Sequence, residues 1–366
     1  MFESLSYMML QQYCWMIVSL LGGILMSLMF VQGGQTLVYA VDKTEEEHKL
    51  IVNSLGRKWV FTFLILIAFG GALFVSFPLY CATCIKGTCL LWMMIPLCFT
   101  VQTAMYEFGT AFAKQKLCNY VLFFSGMAGI TILGTTMGTF FNGAMYSIND
   151  MNIVRWETPF RGIEAILNPH NLLLGATAFL LSRVLALLFF IKNIKNEQII
   201  TRSKIRLMRN AISFIACFIA FLVWLLVKDG FYYDPATKEV SMVAYKFFKN
   251  LIAMPVVLTT LIAGITLVMV GITGTLVNNR FIGGIWYAGS GTVLAVLALF
   301  LIAGFNNTSY YPSLYDLQDS LTIENSSSGH KTLAVTGYVS LVIPVVMAFV
   351  CWKWRRKNTQ NNNINI

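Results

Sequence analysis

The chain has 366 residues, 57% of them hydrophobic and 11% charged, with 26 Lys and Arg against 16 Asp and Glu. A soluble domain carries about 25% charged residues, so the composition excludes a water-soluble enzyme and describes a polytopic membrane protein. The net charge of +10 gives no reason to invoke nucleic acid, because most of it falls in short connections between apolar runs.

Nine apolar windows follow one another: 14–40, 59–80, 88–105, 118–146, 171–192, 208–228, 250–276, 282–304 and 332–352. Each approaches or exceeds the length that crosses a ~30 Å hydrocarbon core. The chain carries no Lys or Arg in residues 1–13 and no small-residue cleavage site after the first window, which predicts a retained helix rather than a signal peptide. Within that window lies Phe30-Val-Gln-Gly-Gly-Gln-Thr36. Gln32 and Gln35 each cost free energy in lipid unless they find partners or a water path.

Residues 42–58 place Leu50, Ile51 and Leu55 at helical spacing among charges, predicting a short helix on the cytoplasmic surface. The second window opens on Trp59, an interface anchor or a ring that packs on another flat group. Gly70-Gly71-Ala72 then predicts a hinge and removes side-chain bulk, so that a neighbouring helix or a cofactor can approach. Pro78 loosens the last turn. Cys81, Cys84 and Cys89 come next. Their spacing permits a redox pair or half of a zinc site, while their apolar setting reads as small hydrophobes. The third window ends on Tyr106 and Glu107, the latter a solvated helix end or a member of a proton path.

In the second half, the loop 147–170 uses Trp156, Pro159 and Pro169 as anchors and turn makers. Arg183 lies near the middle of the fifth window, where an unpaired Arg costs roughly 2.5–3.5 kcal/mol on insertion scales. It is expected to face inward and hold a polar lining of the second half. Residues 305–331, with three Tyr, predict an ordered cap, and the Asn-rich tail from Asn358 predicts disorder. The histidines His48, His170 and His330 all fall in loops or at span ends. A membrane heme takes its axial ligand from the bundle interior, so no heme is expected on this chain alone.

Seventeen of the 26 basic residues fall on one side of a nine-span topology, eight on the other, and Arg183 within a span. Positive-inside then places the N-terminus outside and the C-terminus in the cytoplasm.

The run Trp59…Gly70-Gly71-Ala72-Leu73-Phe74…Phe77-Pro78-Leu79-Tyr80 resembles subunit II of the cytochrome bd-type quinol oxidases. Further similarities follow in order: Gly33 at the family's Asp-Gly-Phe-Asp element, Tyr106-Glu107-Phe108, the Gly-rich 135–143, Leu167-Asn168-Pro169, Tyr311-Pro312-Ser313-Leu314, and Leu321-Thr-Ile with Ser326 to Ser328. The resemblance implies an all-α fold of nine transmembrane helices, two four-helix bundles plus one peripheral helix, divided as 1–146, 147–304 and 305–366. It implies a heme-bearing subunit I as partner, with hemes b and d held there, small accessory membrane subunits, a bacterial inner-membrane location, and quinol oxidation coupled to reduction of oxygen to water. It also implies a quinone contact at Trp59 and subunit contacts at Gly70, Gly71 and Phe74.

The departures are specific. Gln32 and Gln35 stand at the family's two acidic positions, Val60 follows Trp59 where an acid is common, and Gly109 replaces a common Arg. Neither Gln nor Val exchanges a proton near neutral pH, which puts a proton route through Gln32, Gln35, Glu107 and Arg183 in question. A small-solute transporter and an assembly factor without chemistry are the alternative readings.

Overall fold

The computed structural model describes residues 4–108, 115–278 and 280–342. The chain begins with α1 (Tyr7–Leu28), α2 (Phe30–Gln35) and α3 (Val38–Val41), then the long α4 (Glu45–Ser76), α5 (Pro78–Lys86), α6 (Cys89–Phe108) and α7 (Gln115–Asn142). A hairpin of β1 (Tyr146–Ile148) and β2 (Val154–Trp156) and the short α8 (Glu164–Leu167) lead to α9 (Pro169–Asn193) and α10 (Glu197–Val227). A second hairpin, β3 (Gly230–Tyr233) and β4 (Val240–Val243), precedes α11 (Lys246–Ala253), α12 (Pro255–Val277), α13 (Gly284–Gly304) and α14 (Ile323–Ser326). Residues 330–342 are again helical.

Among the described residues, seven helices are long and apolar enough to cross a membrane: Tyr7–Gln35, Glu45–Ser76, Leu117–Asn142, Pro169–Asn193, Glu197–Val227, Pro255–Val277 and Gly284–Gly304. The third expected span is the helix α6, with Pro96 inside it. The second half of the ninth expected span, the tail and Gly109 lie outside the described residues.

Three expectations are corrected. The first helix starts at Tyr7, seven residues earlier than its apolar window, because Ser6 caps it by accepting from the Met9 N–H. The surface helix expected at 42–58 is not separate: Thr44 caps α4 and the helix runs without a break from Glu45 to Ser76. No proline or glycine pair interrupts residues 45–69, so the amphipathic turns simply propagate into the apolar ones. Gly70 and Gly71 form no hinge, since α4 passes straight through them. The bend falls instead at Phe77, whose φ of −130° and ψ of 67° precede Pro78. Met254 does the same before Pro255, with φ −119° and ψ 78°. In both cases the proline ring bars the residue before it from helical geometry.

Small residues set the helix spacing, as expected where helices associate without a hydrophobic drive. A Cβ on Gly264 would fall 2.6 Å from the Ala295 nitrogen, and one on Gly271 2.6 Å from the Gly284 carbonyl, so α12 and α13 pack backbone to backbone. Gly134 and Gly175 join α7 to α9 in the same way. A Cβ on Gly33 would fall 2.3 Å from the Ser182 carbonyl carbon, which locks α2 against the middle of α9.

The two ends of the molecule differ. At one end, residues 305–331 fold over the helices: Ala144 bridges to Ser313, Tyr232 to Thr308 and Tyr311 to Leu321. Tyr310 stacks 4.5 Å from Trp15, and the Tyr146 hydroxyl donates to the Tyr311 carbonyl at 2.6 Å. Gly143, at φ +72°, turns the chain under Pro312, a backbone region that favours glycine. This is the capped end. At the other, basic end, Arg202 of α10 grips Glu47 of α4 with both guanidinium nitrogens, at 3.0 and 2.5 Å, and also donates to the Val41 carbonyl at 2.6 Å.

That buried bidentate pair ties the start of α4 to the start of α10. Glu47→Ala leaves the Arg202 charge unpaired and should destabilise the protein by about 3 kcal/mol. The double variant with Arg202→Met should recover part of that loss in thermal unfolding of the detergent-solubilised protein. Equal midpoints for the parent and the single variant would refute the lock.

Candidate functional site

The polar residues of the first half converge on one amide. Gln102, from the middle of α6, is fully buried, and its Oε1 accepts from Trp59 Nε1 at 2.9 Å, Gln32 Nε2 at 3.2 Å and Gln35 Nε2 at 3.2 Å. Gln35 Nε2 also donates to the Tyr106 hydroxyl at 3.0 Å. The indole N–H can only donate, so Trp59 fixes which end of the Gln102 amide faces the cluster. Three donors share an oxygen with two lone pairs, while Gln32 Oε1, Gln35 Oε1 and Gln102 Nε2 have no partner among the described residues. The node is therefore neutral and polar, with two acceptors and one donor group unused.

The helices aim these groups. Gly33 backs onto Ser182, which turns Gln32 and Gln35 toward α6 and α7. On the α7 side, a Cβ on Gly126 would fall 2.4 Å from Gln35 Oε1, so that glycine makes the room the amide occupies. Trp59 is buried, stacked on Phe63 at 5.4 Å and near the Tyr106 ring at 6.3 Å. Its indole is thus in the protein interior and its N–H is engaged by Gln102.

Gln102 is the residue that sequence reasoning missed. The signal was present: it is an amide inside an apolar window, and the rule that flagged Gln32 and Gln35 applies to it equally. Glu107 lies one residue beyond Tyr106, exposed at the end of α6 and outside the hydrogen-bonded node. Gly70 and Gly71 would meet nothing within 4 Å if given a Cβ, and Phe74 is exposed. Among the described residues that face of α4 is therefore open, while Phe69 and Leu73 on its other face are buried in the core.

Arg183 departs from expectation. It does not line the interior of the second half: it is half-buried, on the stripe of α9 that also carries Leu172, Ala176 and Phe179. Its Cζ lies 5.4 Å from the Phe179 ring centroid, and its Nε is buried without a partner. The reason is the Gly33 contact, which assigns the neighbouring Ser182 to the buried face and rotates Arg183 away from it.

Where the two halves meet lies an apolar cavity of about 360 Å³. Leu181, Phe214, Phe218, Val268 and Phe300 line it together with Phe69 of α4. Phe69 is ten residues beyond Trp59, roughly 15 Å along the helix, so the cavity and the amide node are separate places. The capped end contains a half-buried cation, Lys228, and a buried one, Lys246, that sequence reasoning did not single out. Lys228 donates to the Phe141 carbonyl at 3.2 Å and to Asn142, and burial pushes its pKa down to about 8. Lys246 donates to the Asn306 carbonyl at 2.8 Å, and burial, aided by Lys249, likewise pushes it down to about 8. Asn142 also meets Asn171 and, at 2.8 Å, His170 Nδ1; His170 is buried, with its Nε2 unpartnered.

Burial pushes the Cys81 thiol up to about 12 and the Cys84 thiol up to about 11, so neither supplies thiolate near neutral pH. Among the described residues, no group of three or more His, Cys, Asp or Glu side chains is placed to hold a metal ion.

Replacing Gln102 by Met keeps the volume but removes the shared acceptor. Each buried donor left unmade costs about 1–3 kcal/mol, so Gln102→Met should lower the thermal midpoint clearly. Combining it with Trp59→Phe should cost much less than the sum of the two single changes. Strict additivity would show that the indole and the amide are not coupled.

The comparisons with known proteins agree with this architecture. The probable cytochrome oxidase subunit 2 of Haemophilus influenzae is 21% identical over 348 residues, covering 89% of this chain and 88% of its own. The cytochrome bd-I ubiquinol oxidase subunit 2 of Escherichia coli K12 is 21% identical over 366 residues, covering 95% and 94%. A solved bd oxidase from Geobacillus thermodenitrificans superposes with a TM-score of 0.59 at 11% identity, covering 96% of this chain and 98% of that one. Residues 10–356 match the model of the family described as cytochrome bd terminal oxidase subunit II, and the chain, a membrane protein with helices long enough to span the bilayer, belongs to that family.

Proposed function

We propose that this chain is the second subunit of a membrane quinol:oxygen oxidoreductase and supports a heme-bearing subunit I, in which quinol is oxidised and oxygen is reduced to water. The observation that carries the reading is the family match over residues 10–356, along with the similarity to the Escherichia coli relative, a subunit of a cytochrome bd-I ubiquinol oxidase. In this reading the chain spans the bacterial inner membrane nine times, N-terminus outside and C-terminus cytoplasmic. Two four-helix bundles occupy 1–146 and 147–304, and 305–366 adds the cap and a peripheral ninth helix.

Hemes b and d are assigned to subunit I because this chain offers them little. The cavity is lined by apolar side chains, and its soft ligating groups are Met26, Met137 and Met269, a residue type that also fills gaps in apolar cores. The open stretch at Gly70, Gly71 and Phe74 is the proposed contact with subunit I, with small accessory subunits elsewhere on the rim. A quinone ring is placed against Trp59. There the carbonyl oxygens of Gln32 and Gln35 supply unused acceptors for a quinol hydroxyl. The node holds no carboxylate, so Gln32 and Gln35 orient hydrogen bonds and exchange no proton. Protons for oxygen reduction must then reach the catalytic centre elsewhere, Glu107 being the acid closest in sequence to the node. The transporter alternative has no observation in its favour.

The tagged chain should co-purify with a heme protein of comparable size, and the complex should show b- and d-type absorption that the isolated chain lacks. Stoichiometric heme on the isolated chain, or a colourless chain without a partner from a respiring membrane, would overturn the reading. Trp59→Ala should lower the quinone that co-purifies with an intact two-subunit complex. Unchanged quinone would leave Trp59 as a packing group for the amide node.

A further inference from the structure

Arg183 is a charge without a counter-charge. None of the ion pairs among the described residues involves it, and the charge it feels most is another cation, Arg206 of α10. The sequence leaves few acids to serve it. Outside the described residues the only acid is Glu3, which precedes α1, and the α1 start is bonded into the capped end through Tyr7 and Ser328. At the basic end, Glu47 is held by Arg202 and Asp42 by His48, while Glu45, Glu46, Glu107 and Glu197 are exposed and make no ion pair with Arg183 among the described residues. Two guanidinium-bearing side chains thus face the same region with no carboxylate between them.

Their depth follows from the hairpin. Arg183 comes about ten residues before the end of α9 and Arg206 about nine after the start of α10, so both lie roughly 14–15 Å from the turn at 1.5 Å per residue. Arg202, Lys204, Arg206 and Arg209 all precede the uncharged stretch 210–227 of α10. That stretch of 18 residues is about 27 Å long, so a hydrocarbon core matched to it begins at about the level of this pair and puts Arg183, mid-window by sequence, near the headgroups. Above it, α10 is the least buried of the seven membrane-length helices. Met208, Ile212, Ile219 and Val223 are exposed along it.

We propose that Arg183 and Arg206 form a binding site for the phosphate of an anionic phospholipid in the leaflet at the basic end, its acyl chains lying along the exposed apolar side of α10. The chemistry is charge complementarity. A phosphodiester supplies the acceptor that the Arg183 Nε lacks, screens the repulsion between the two guanidinium groups, and offers the planar, two-point recognition that arginine favours. The apolar chains cover a helix face that this chain leaves bare. The site does not rest on the oxidase reading, since it uses only groups of α9 and α10.

The test uses the purified protein with whatever partner it retains, placed in nanodiscs of phosphatidylcholine alone or with a minor fraction of phosphatidylglycerol. The lipid retained after a detergent wash is quantified by mass spectrometry, and the thermal midpoint is followed in parallel. The parent should enrich phosphatidylglycerol and gain stability from it. Arg183→Gln and Arg206→Gln should each reduce the enrichment about fivefold, the effect of losing one cationic contact at a membrane surface, and Arg183→Lys should retain most of it. Three results would overturn the proposal. One is equal enrichment in parent and variants. Another is stabilisation reproduced by inorganic phosphate in phosphatidylcholine discs, which marks a free-anion site. The third is loss of a partner subunit from Arg183→Gln in every lipid, which marks a protein carboxylate as the true counter-charge.

Discussion

The contact between Gly33 and the Ser182–Arg183 backbone is the constraint on which much of this molecule depends. No side chain can occupy the Gly33 position, because a Cβ there would overlap the α9 main chain. With α2 pinned so closely, the flanking amides of Gln32 and Gln35 have one direction left, toward Gln102 and Trp59. The same contact buries Ser182 and leaves Arg183 on the less covered stripe of α9. One backbone crossing thus sets both the neutral polar node and the unpaired cation.

Polar groups in this protein are sorted by depth and by charge. Inside the apolar layer they are neutral amides and hydroxyls that satisfy one another or the helix backbone, as with Ser182 and Thr177 donating to carbonyls of their own helix. The charged pairs lie nearer the ends, where desolvation is less severe. Glu47 and Arg202 clamp two long helices at the basic end. At the capped end, Lys228 and Lys246 are held by carbonyl and amide oxygens, Lys228 at the end of α7. The aromatic cap closes that end: Trp15, Phe77, Tyr80, Phe140 and Tyr310 form a contiguous set of ring contacts at 4.5–6.0 Å. Such edge and tilted contacts add stabilisation beyond buried area and hold the 305–331 segment to α1, α5 and α7 and to the junction at Phe77.

Gln32 and Gln35 are amides at positions where the family resemblance implies acids. Two glutamines can keep the hydrogen-bond geometry of a carboxylate pair while abolishing its titration. The electrostatic consequence is local: nothing at the node competes for the positive charges of the basic end, and Arg183 is left to an external anion.

The amino-acid sequence by itself determined the membrane class, the positions of most helices, the glycine-rich crossings and the polar residues that had to find partners, because each follows from hydropathy, helical period or the cost of a polar group in lipid. The motifs from Trp59 to Tyr80 and the later segments carried the family resemblance. What only the tertiary structure decided was how those residues meet. Gln102 became the hub because two helices, α2 and α4, deliver three donors to one point, a juxtaposition that no local pattern encodes. The helix from Glu45 to Ser76 proved continuous because nothing in its middle breaks a helix once tertiary packing holds both ends. Arg183 looked mid-membrane because hydropathy counts residues along one helix. In the proposed lipid site its depth follows from the partner helix α10, whose apolar stretch begins only after Arg209.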